Sequence, residues 1–162
     1  MKEFKIETNV QCFSYDELSE TYQNLVDKAK QQTKTAYAPY SKFHVGAAVL
    51  MDNGEILCGS NQENAAYPSG LCAERTTLFY ANAHYPDRKV VALAIAAAQN
   101  EAFLEEPISP CGACRQVMLE YEQKAKQPID VLLYGTNNIY LIKGVKQLLP
   151  FSFVSETMGL HF

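Results

Sequence analysis

The sequence predicts an α/β domain with three layers, α/β/α, around a mixed five-stranded sheet whose last two strands form an antiparallel hairpin. Three observations carry this expectation. Helix-like patterns alternate with short apolar runs, Asp52-Asn53-Gly54 separates two strand-like segments, and only Gly135-Thr136-Asn137-Asn138 joins the last two apolar runs. Asn-Gly between strand-like runs is a strong short-range hairpin signal. A joint as short as the last one leaves no room for the crossover that parallel neighbours need, so the final pair is antiparallel.

The elements follow in order. Residues 1–14 are a short mixed arm with a lone strand around residues 4–6. Residues 15–35 read as an amphipathic helix, because Leu18, Tyr22, Leu25, Val26 and Ala29 recur at helical spacing. The helix stops before Ala38-Pro39, since the residue ahead of a proline is pushed out of the helical region. Residues 44–51 and 55–59 are the strands of the first hairpin, and 61–70 form an irregular polar loop leading to a helix over 72–83. Residues 90–98 are an almost unbroken apolar run, as expected of a strand covered on both faces. An alanine-rich buried helix is the competing reading for that stretch. A further helix spans 111–124, and 131–134 and 139–142 are the last two strands. The whole, residues 1–162, reads as a single domain with an N-terminal arm over 1–15 and a C-terminal tail over 154–162.

Composition narrows the function classes. Hydrophobic residues at 48% and charged residues at 20% fit an ordinary globular core. Fourteen basic against eighteen acidic side chains give a net charge of −4. This speaks against a nucleic-acid partner, whose binding rests on basic surface. Lys28, Lys30 and Lys34, and Lys124 with Lys126, read as solvated helix faces. No apolar run reaches the ~20 residues that span a bilayer, and residues 1–10 lack a signal-peptide core, so no membrane partner is expected. Five cysteines, an odd number with three at metal-type spacing, suit the reducing cytoplasm better than a disulfide scaffold.

The chemistry lies in Cys72-Ala73-Glu74 and Pro110-Cys111-Gly112-Ala113-Cys114. Three thiolates fill three corners of a zinc tetrahedron and leave the fourth open, whereas a structural zinc site closes all four with protein ligands. Glu74 is a proton carrier beside that open corner. In mid-helix, residues i and i+2 point about 200° apart. Cys72 and Glu74 therefore converge only at a helix tip, where side chains gather around free N–H groups. Cys111 and Cys114 are close to one helical turn apart, and Pro110 suits a helix start because its missing N–H is not needed there. Two helix N-termini then aim at one point, and their dipoles offset part of the excess negative charge of three thiolates on Zn²⁺. Arg75 and Arg115 are candidates to donate hydrogen bonds to the same sulfurs, Arg75 ahead of Arg115.

Alone, Cys-x-x-Cys also fits a redox dithiol or a structural zinc knuckle. The redox form belongs beside the first strand of a thioredoxin-like unit, and here it follows the long apolar run late in the chain. Cys12 and Cys58 read as ordinary buried thiols. His44, His84 and His161 show no pairing and receive no role. Cys-x-Glu followed by Pro-Cys-x-x-Cys is a signature of zinc nucleobase deaminases.

Further stretches stand in register with that signature: Tyr40-Ser41-Lys42-Phe43-His44-Val45-Gly46-Ala47-Ala48, Asn61-Gln62-Glu63-Asn64-Ala65-Ala66-Tyr67, Cys72-Ala73-Glu74-Arg75-Thr76, Ser109-Pro110-Cys111-Gly112-Ala113-Cys114-Arg115-Gln116 and Leu148-Leu149-Pro150. Over residues 38–153 the chain thereby resembles the small, homotetrameric, three-cysteine type of cytidine deaminase. The resemblance implies hydrolytic deamination of cytidine and deoxycytidine, one Zn²⁺ per chain on Cys72, Cys111 and Cys114, and Glu74 as proton shuttle. It also implies that Phe43 lies against the pyrimidine and that Asn61 and Glu63 bind the ribose hydroxyls, while backbone around Ala73 and Ser109 reads the base edge. Tyr67 corresponds to a residue at a shared interface near the ribose, and Phe153 to an aromatic that stacks on a neighbouring subunit's base. The implied partners are a nucleoside and three further copies of the chain with shared active sites. The alternatives are a deaminase of blasticidin S type, a tRNA or single-stranded DNA deaminase, and a non-catalytic zinc-stabilised module. Nucleic-acid deaminases of this kind place a helix between the last strands, where this chain has only a short joint. The Arg75-Thr76 continuation favours the cytidine enzymes over the blasticidin type.

Overall fold

The computed structural model of the chain describes residues 1–160. Its elements run β1 (Gln11–Phe13), α1 (Glu20–Gln32), β2 (Phe43–Met51), β3 (Ile56–Ser60), α2 (Ala73–His84), β4 (Val90–Gln99), β5 (Ala102–Phe103), α3 (Gly112–Ala125), β6 (Asp130–Tyr134) and β7 (Ile139–Lys143). The strands lie side by side as β1-β7-β6-β4-β2-β3, with β5 paired to the end of β4. β4 and β6 are parallel, and the other pairings are antiparallel. The five expected strands are all present, but the sheet of the described residues has seven. The two extra strands, β1 and β5, are three and two residues long, too short for an alternating pattern to register. The lone strand expected at 4–6 lies instead at Gln11–Phe13, where the arm finds the free edge of β7 and sets Cys12 opposite Tyr140.

Side-chain size along β4 decides how the layers stack. Leu93 and Ile95 face the core shared with α2 and α3, while Ala92, Ala94 and Ala96 face the core shared with α1. The period of two identifies a strand and removes the buried-helix reading. The alanine face lets α1 lie close, and Gly46 on β2 lets it lie closer still. A Cβ at Gly46 would sit 2.1 Å from the Ala29 carbonyl oxygen and 2.7 Å from the Thr33 nitrogen. On the opposite face, a Cβ at Gly59 would fall 2.7 Å from Thr77 Oγ1 of α2. Leu25 and Val26 of α1 are fully buried, contributing roughly 1.5–3 kcal/mol each.

The first helix is shorter than its apolar spacing implies. Residues 15–17 and 33–35 are 3₁₀ turns, and Ser19, accepting from the Tyr22 N–H, caps α1 proper. The first hairpin closes through Gly54 at φ 86°, with the Met51 N–H on the Glu55 carbonyl at 2.9 Å. The last hairpin closes from the Gly135 N–H to the Asn138 carbonyl at 2.9 Å.

Two surface expectations fail. Lys30 is half-buried beside Asp27, with its ammonium 4.8 Å from the Tyr134 ring centroid and 5.5 Å from that of Tyr15, because an aromatic ring at this position draws the cation in. Cys12 is exposed, since β1 is an edge strand, whereas Cys58 on β3 is half-buried. Among the described residues no helix is long and apolar enough to cross a membrane. In the tail, Ser155–Met158 form a 3₁₀ turn, while His161 and Phe162 lie outside the described residues.

Gly46→Ala is expected to lower stability by about 3 kcal/mol, since overpacking against backbone cannot be relieved by a rotamer change. A urea midpoint equal to that of the parent protein would show that α1 lifts off β2 at no cost.

Candidate metal centre and active site

Helices α2 and α3 begin at the same place. Cys72 is the N-cap of α2 and Cys111 the N-cap of α3, both in extended backbone with ψ 156° and 166°. An N-cap side chain ordinarily accepts a hydrogen bond from its own helix. Neither cysteine does so, and their sulfurs approach each other to 3.8 Å instead. Cys114, on the first turn of α3, is buried with its sulfur 3.5 Å from that of Cys111. The three sulfurs all lie within 4.8 Å of one another, and among the described residues no other His, Cys, Asp or Glu joins the group. Zn–S bonds of about 2.3 Å require tetrahedral edges of about 3.8 Å. The spacing and the all-sulfur donor set therefore fit a zinc ion with one corner left free of protein.

Glu74 is the second residue of α2 and is 4% exposed. Burial pushes its carboxyl up from the usual range, its own backbone N–H opposes this, and the neighbouring Cys72 sulfur reinforces it. Cys72 is drawn down to about 5 by the hydrogen bond from Cys114, with further help from Arg75. Cys114 is held high by its bond to Cys72 and by burial. Metal binding takes up cysteine in its thiolate form and so couples to proton release.

The two arginines part company. Arg75 Nη2 donates to the Cys72 sulfur at 3.8 Å and to the Gly70 carbonyl at 3.5 Å, and its Nε is buried without a hydrogen-bond partner. Arg115 does not reach the sulfurs. Its Nε donates to the Pro110 carbonyl at 2.8 Å and its Nη1 to the Leu148 carbonyl at 2.9 Å. By position alone Arg115, four residues beyond the Cys111 N-cap, is as well placed as Arg75, three residues beyond the Cys72 N-cap. What separates them is the pair of carbonyls that takes up the Arg115 guanidinium.

Above the sulfurs opens a cavity of about 740 Å³. Phe43 comes to it from β2, and Asn61, Glu63 and Tyr67 come from the following loop. Cys72, Glu74 and Arg75 reach it from the start of α2, and Ser109 and Cys111 from the approach to α3. The loop is pinned because the Gln62 and Leu71 N–H groups each donate to the other's carbonyl at 2.9 Å. Asn61 Oδ1 accepts from the Val45 N–H at 2.8 Å, and its Nδ2 donates to the Phe43 carbonyl at 2.9 Å. One amide hydrogen and one oxygen lone pair are left over. Glu63 Oε2 accepts from the Tyr40 N–H at 2.9 Å, and a hydrogen bond from the Ser41 side chain holds the carboxyl below its usual range. Tyr67 is 72% exposed and meets Tyr40 edge-on at 5.5 Å.

Three expected residues stand apart from the cavity wall. Cys114 and Ala73 are buried beneath it, and Phe153, 58% exposed, lies outside its own chain's cavity. The cavity also takes in Tyr40, Val45, Leu71 and Ile108, to which the sequence reading gave no role. Isolated apolar and aromatic residues of this kind carry no signal that separates pocket from core.

Residues 19–127, a span holding the three cysteines and Glu74, match the family described as the cytidine and deoxycytidylate deaminase zinc-binding region. The cytidine deaminase of Halalkalibacterium halodurans is 44% identical over 140 residues, 85% of this chain and 97% of that protein. That of Sporosarcina psychrophila is 41% identical over 143 residues, covering 85% and 94%. Among solved structures, cytidine deaminase from Burkholderia pseudomallei aligns with a TM-score of 0.70 at 38% identity, covering 84% of this chain and 100% of that one.

Arg75→Gln removes the cation beside Cys72 and is expected to weaken zinc retention about tenfold or more in chelator competition, with the fold kept. Unchanged retention would mean that the two helix N-termini suffice.

Proposed function

The chain belongs to the cytidine and deoxycytidylate deaminase family, and from that premise we propose that it hydrolyses cytidine and deoxycytidine to uridine and deoxyuridine with release of ammonia, a step of pyrimidine salvage. The observation that carries this is the buried Glu74 carboxyl beside three sulfurs at zinc spacing, on the floor of a cavity of nucleoside size. Cys72, Cys111 and Cys114 hold one Zn²⁺ per chain, which when bound supplies a Lewis acid that brings water ionisation towards neutral pH.

The remaining work falls to the chain's own side chains. The Glu74 carboxylate takes a proton from the attacking water and gives it to the ring nitrogen beside the reacting carbon. As the C–N bond breaks and the carbonyl forms, the carboxylate takes the second proton of the same oxygen and delivers it to the exocyclic amine, which departs as ammonia. A carboxyl raised by burial suits this double duty, since it holds a proton closer to neutral pH. Phe43 offers its ring to the pyrimidine, and backbone at Ala73 and Ser109 reads the base edge. The spare amide hydrogen of Asn61 and the Glu63 carboxylate bind the ribose hydroxyls. Arg75 steadies the sulfurs.

Phe153 and Tyr67 extend the assignment beyond one chain. The exposure of both rings and the position of Phe153 away from its own cavity support a homotetramer in which Phe153 stacks on a neighbour's base and Tyr67 lies at the interface. A net charge of −4 favours a small neutral nucleoside over a polyanion. Five unpaired cysteines suit the cytoplasm, and residues 1–162 act as one domain with the arm and tail as additions.

Deamination followed by ultraviolet absorbance is expected with cytidine and deoxycytidine and to be weak with free cytosine, which lacks the ribose that Asn61 and Glu63 hold. Glu74→Gln is expected to keep zinc and fold and to lose turnover by about 10²–10⁴-fold; uridine formation at the parent rate would remove Glu74 from the chemistry. Phe153→Ala is expected to raise KM for cytidine, and an unaltered KM would detach Phe153 from substrate binding.

A further inference from the structure

Helix α3 carries a second set of polar side chains besides its cysteines. Arg115 and Gln116 recur as Glu122 and Gln123 seven residues on, two helical turns away, so both pairs stand on one stripe of the helix. All four meet the segment that follows β7. Glu122 accepts from the Val145 N–H at 2.6 Å and from the Lys146 N–H at 3.2 Å. Arg115 donates to the Leu148 carbonyl at 2.9 Å, Gln116 Nε2 to the Phe153 carbonyl at 2.8 Å, and Gln123 Nε2 to Glu156 Oε2 at 2.6 Å. The segment thus climbs α3 from residue 145 to 148 and reverses through Pro150-Phe151, where Phe151 takes φ 55°. It then descends from 153 to 156. Its tip lies at the metal end of the helix. There the second arm of the Arg115 guanidinium holds the carbonyl of Pro110, the residue ahead of Cys111, at 2.8 Å.

We propose that Arg115 and Gln116 are positioning residues that fix the 148–153 tip, and the Phe153 ring it carries, in register with the cysteine loop, resting on the reading above that Phe153 contributes to base binding. The Arg115 guanidinium bridges two chain segments because its N–H groups diverge from one rigid plane. A lysine donates from one nitrogen at the end of a flexible stem and lacks the fixed, diverging fork that spans these two carbonyls. Glu122 and Gln123 anchor the two ends of the same excursion, so loss of an upper contact loosens the chain from the tip down to Lys146 while its ends stay attached to α3.

The test uses zinc-loaded Arg115→Lys and Gln116→Ala alongside the parent protein. It reads kcat and KM for cytidine separately, zinc release to a chelator, and tryptic cleavage after Lys146. Gln116→Ala is expected to raise KM about fivefold, the worth of one neutral hydrogen bond, with kcat nearly unchanged and zinc release unaltered. Arg115→Lys is expected to raise KM at least as much, to speed zinc release about tenfold and to accelerate cleavage after Lys146. An unchanged KM in both variants overturns the proposal, as does a fall in kcat at constant KM, which would report only a smaller folded fraction. If the parent protein is inert towards cytidine, the deaminase reading fails instead. The bracing is then judged by zinc release and cleavage in Arg115→Lys, and no change in either overturns it.

Discussion

Three thiolates crowded within one metal's reach repel each other, and everything around them answers that repulsion. Two helices present their N-termini to the sulfurs, so the partial positive charge of unpaired N–H groups faces the excess negative charge. Arg75 adds a full charge at Cys72. Glu74 is held in the same small volume by belonging to the first turn of α2, where burial raises its proton affinity. A structural site would relieve the crowding with a fourth ligand. Among the described residues no fourth His, Cys, Asp or Glu joins the three sulfurs as a ligand group.

The sheet brings the two helix tips together. β3 and β4 both pair antiparallel with β2, so they run in one direction, and β6 runs parallel to β4. α2 links β3 to β4 and α3 links β4 to β6, so both helices start from the same edge, where strands of that direction end. Ligand sites of open α/β sheets gather at that edge for this reason. The close approach of α2 at Gly59, with Thr77 against it, sets the depth at which Cys72 and Glu74 sit. Side-chain spacing on the strands thus reaches the chemistry through helix position.

What could be read from the residues alone follows from how local each signal is. The clustering of Cys72, Cys111 and Cys114, the helix-tip position of Glu74, the hairpin at Asn53-Gly54 and the antiparallel last pair were legible because short-range spacing decides them. Helical periodicity alone requires Cys72 and Glu74 to meet at a helix tip, and Cys72 is the N-cap of α2. β1 and β5 were not legible, since each forms only because a distant strand offers an edge. Arg115 looked like a sulfur partner by adjacency, yet its side chain follows the carbonyls of Pro110 and Leu148, and the latter is placed by tertiary structure. Lys30 was misread for the same reason, because the rings of Tyr134 and Phe103 arrive from other elements. The placement of Phe43, Asn61 and Glu63 around one cavity came from likeness to a family, and their loop contacts supply a physical reason for that placement.

The central claim is a zinc ion on three sulfurs with its last position left to solvent or substrate. X-ray absorption at the zinc K-edge of the purified protein tests it most directly. Three sulfur neighbours at about 2.3 Å and one lighter neighbour with no histidine signature are expected. Four sulfurs, or an imidazole in the coordination shell, would contradict it.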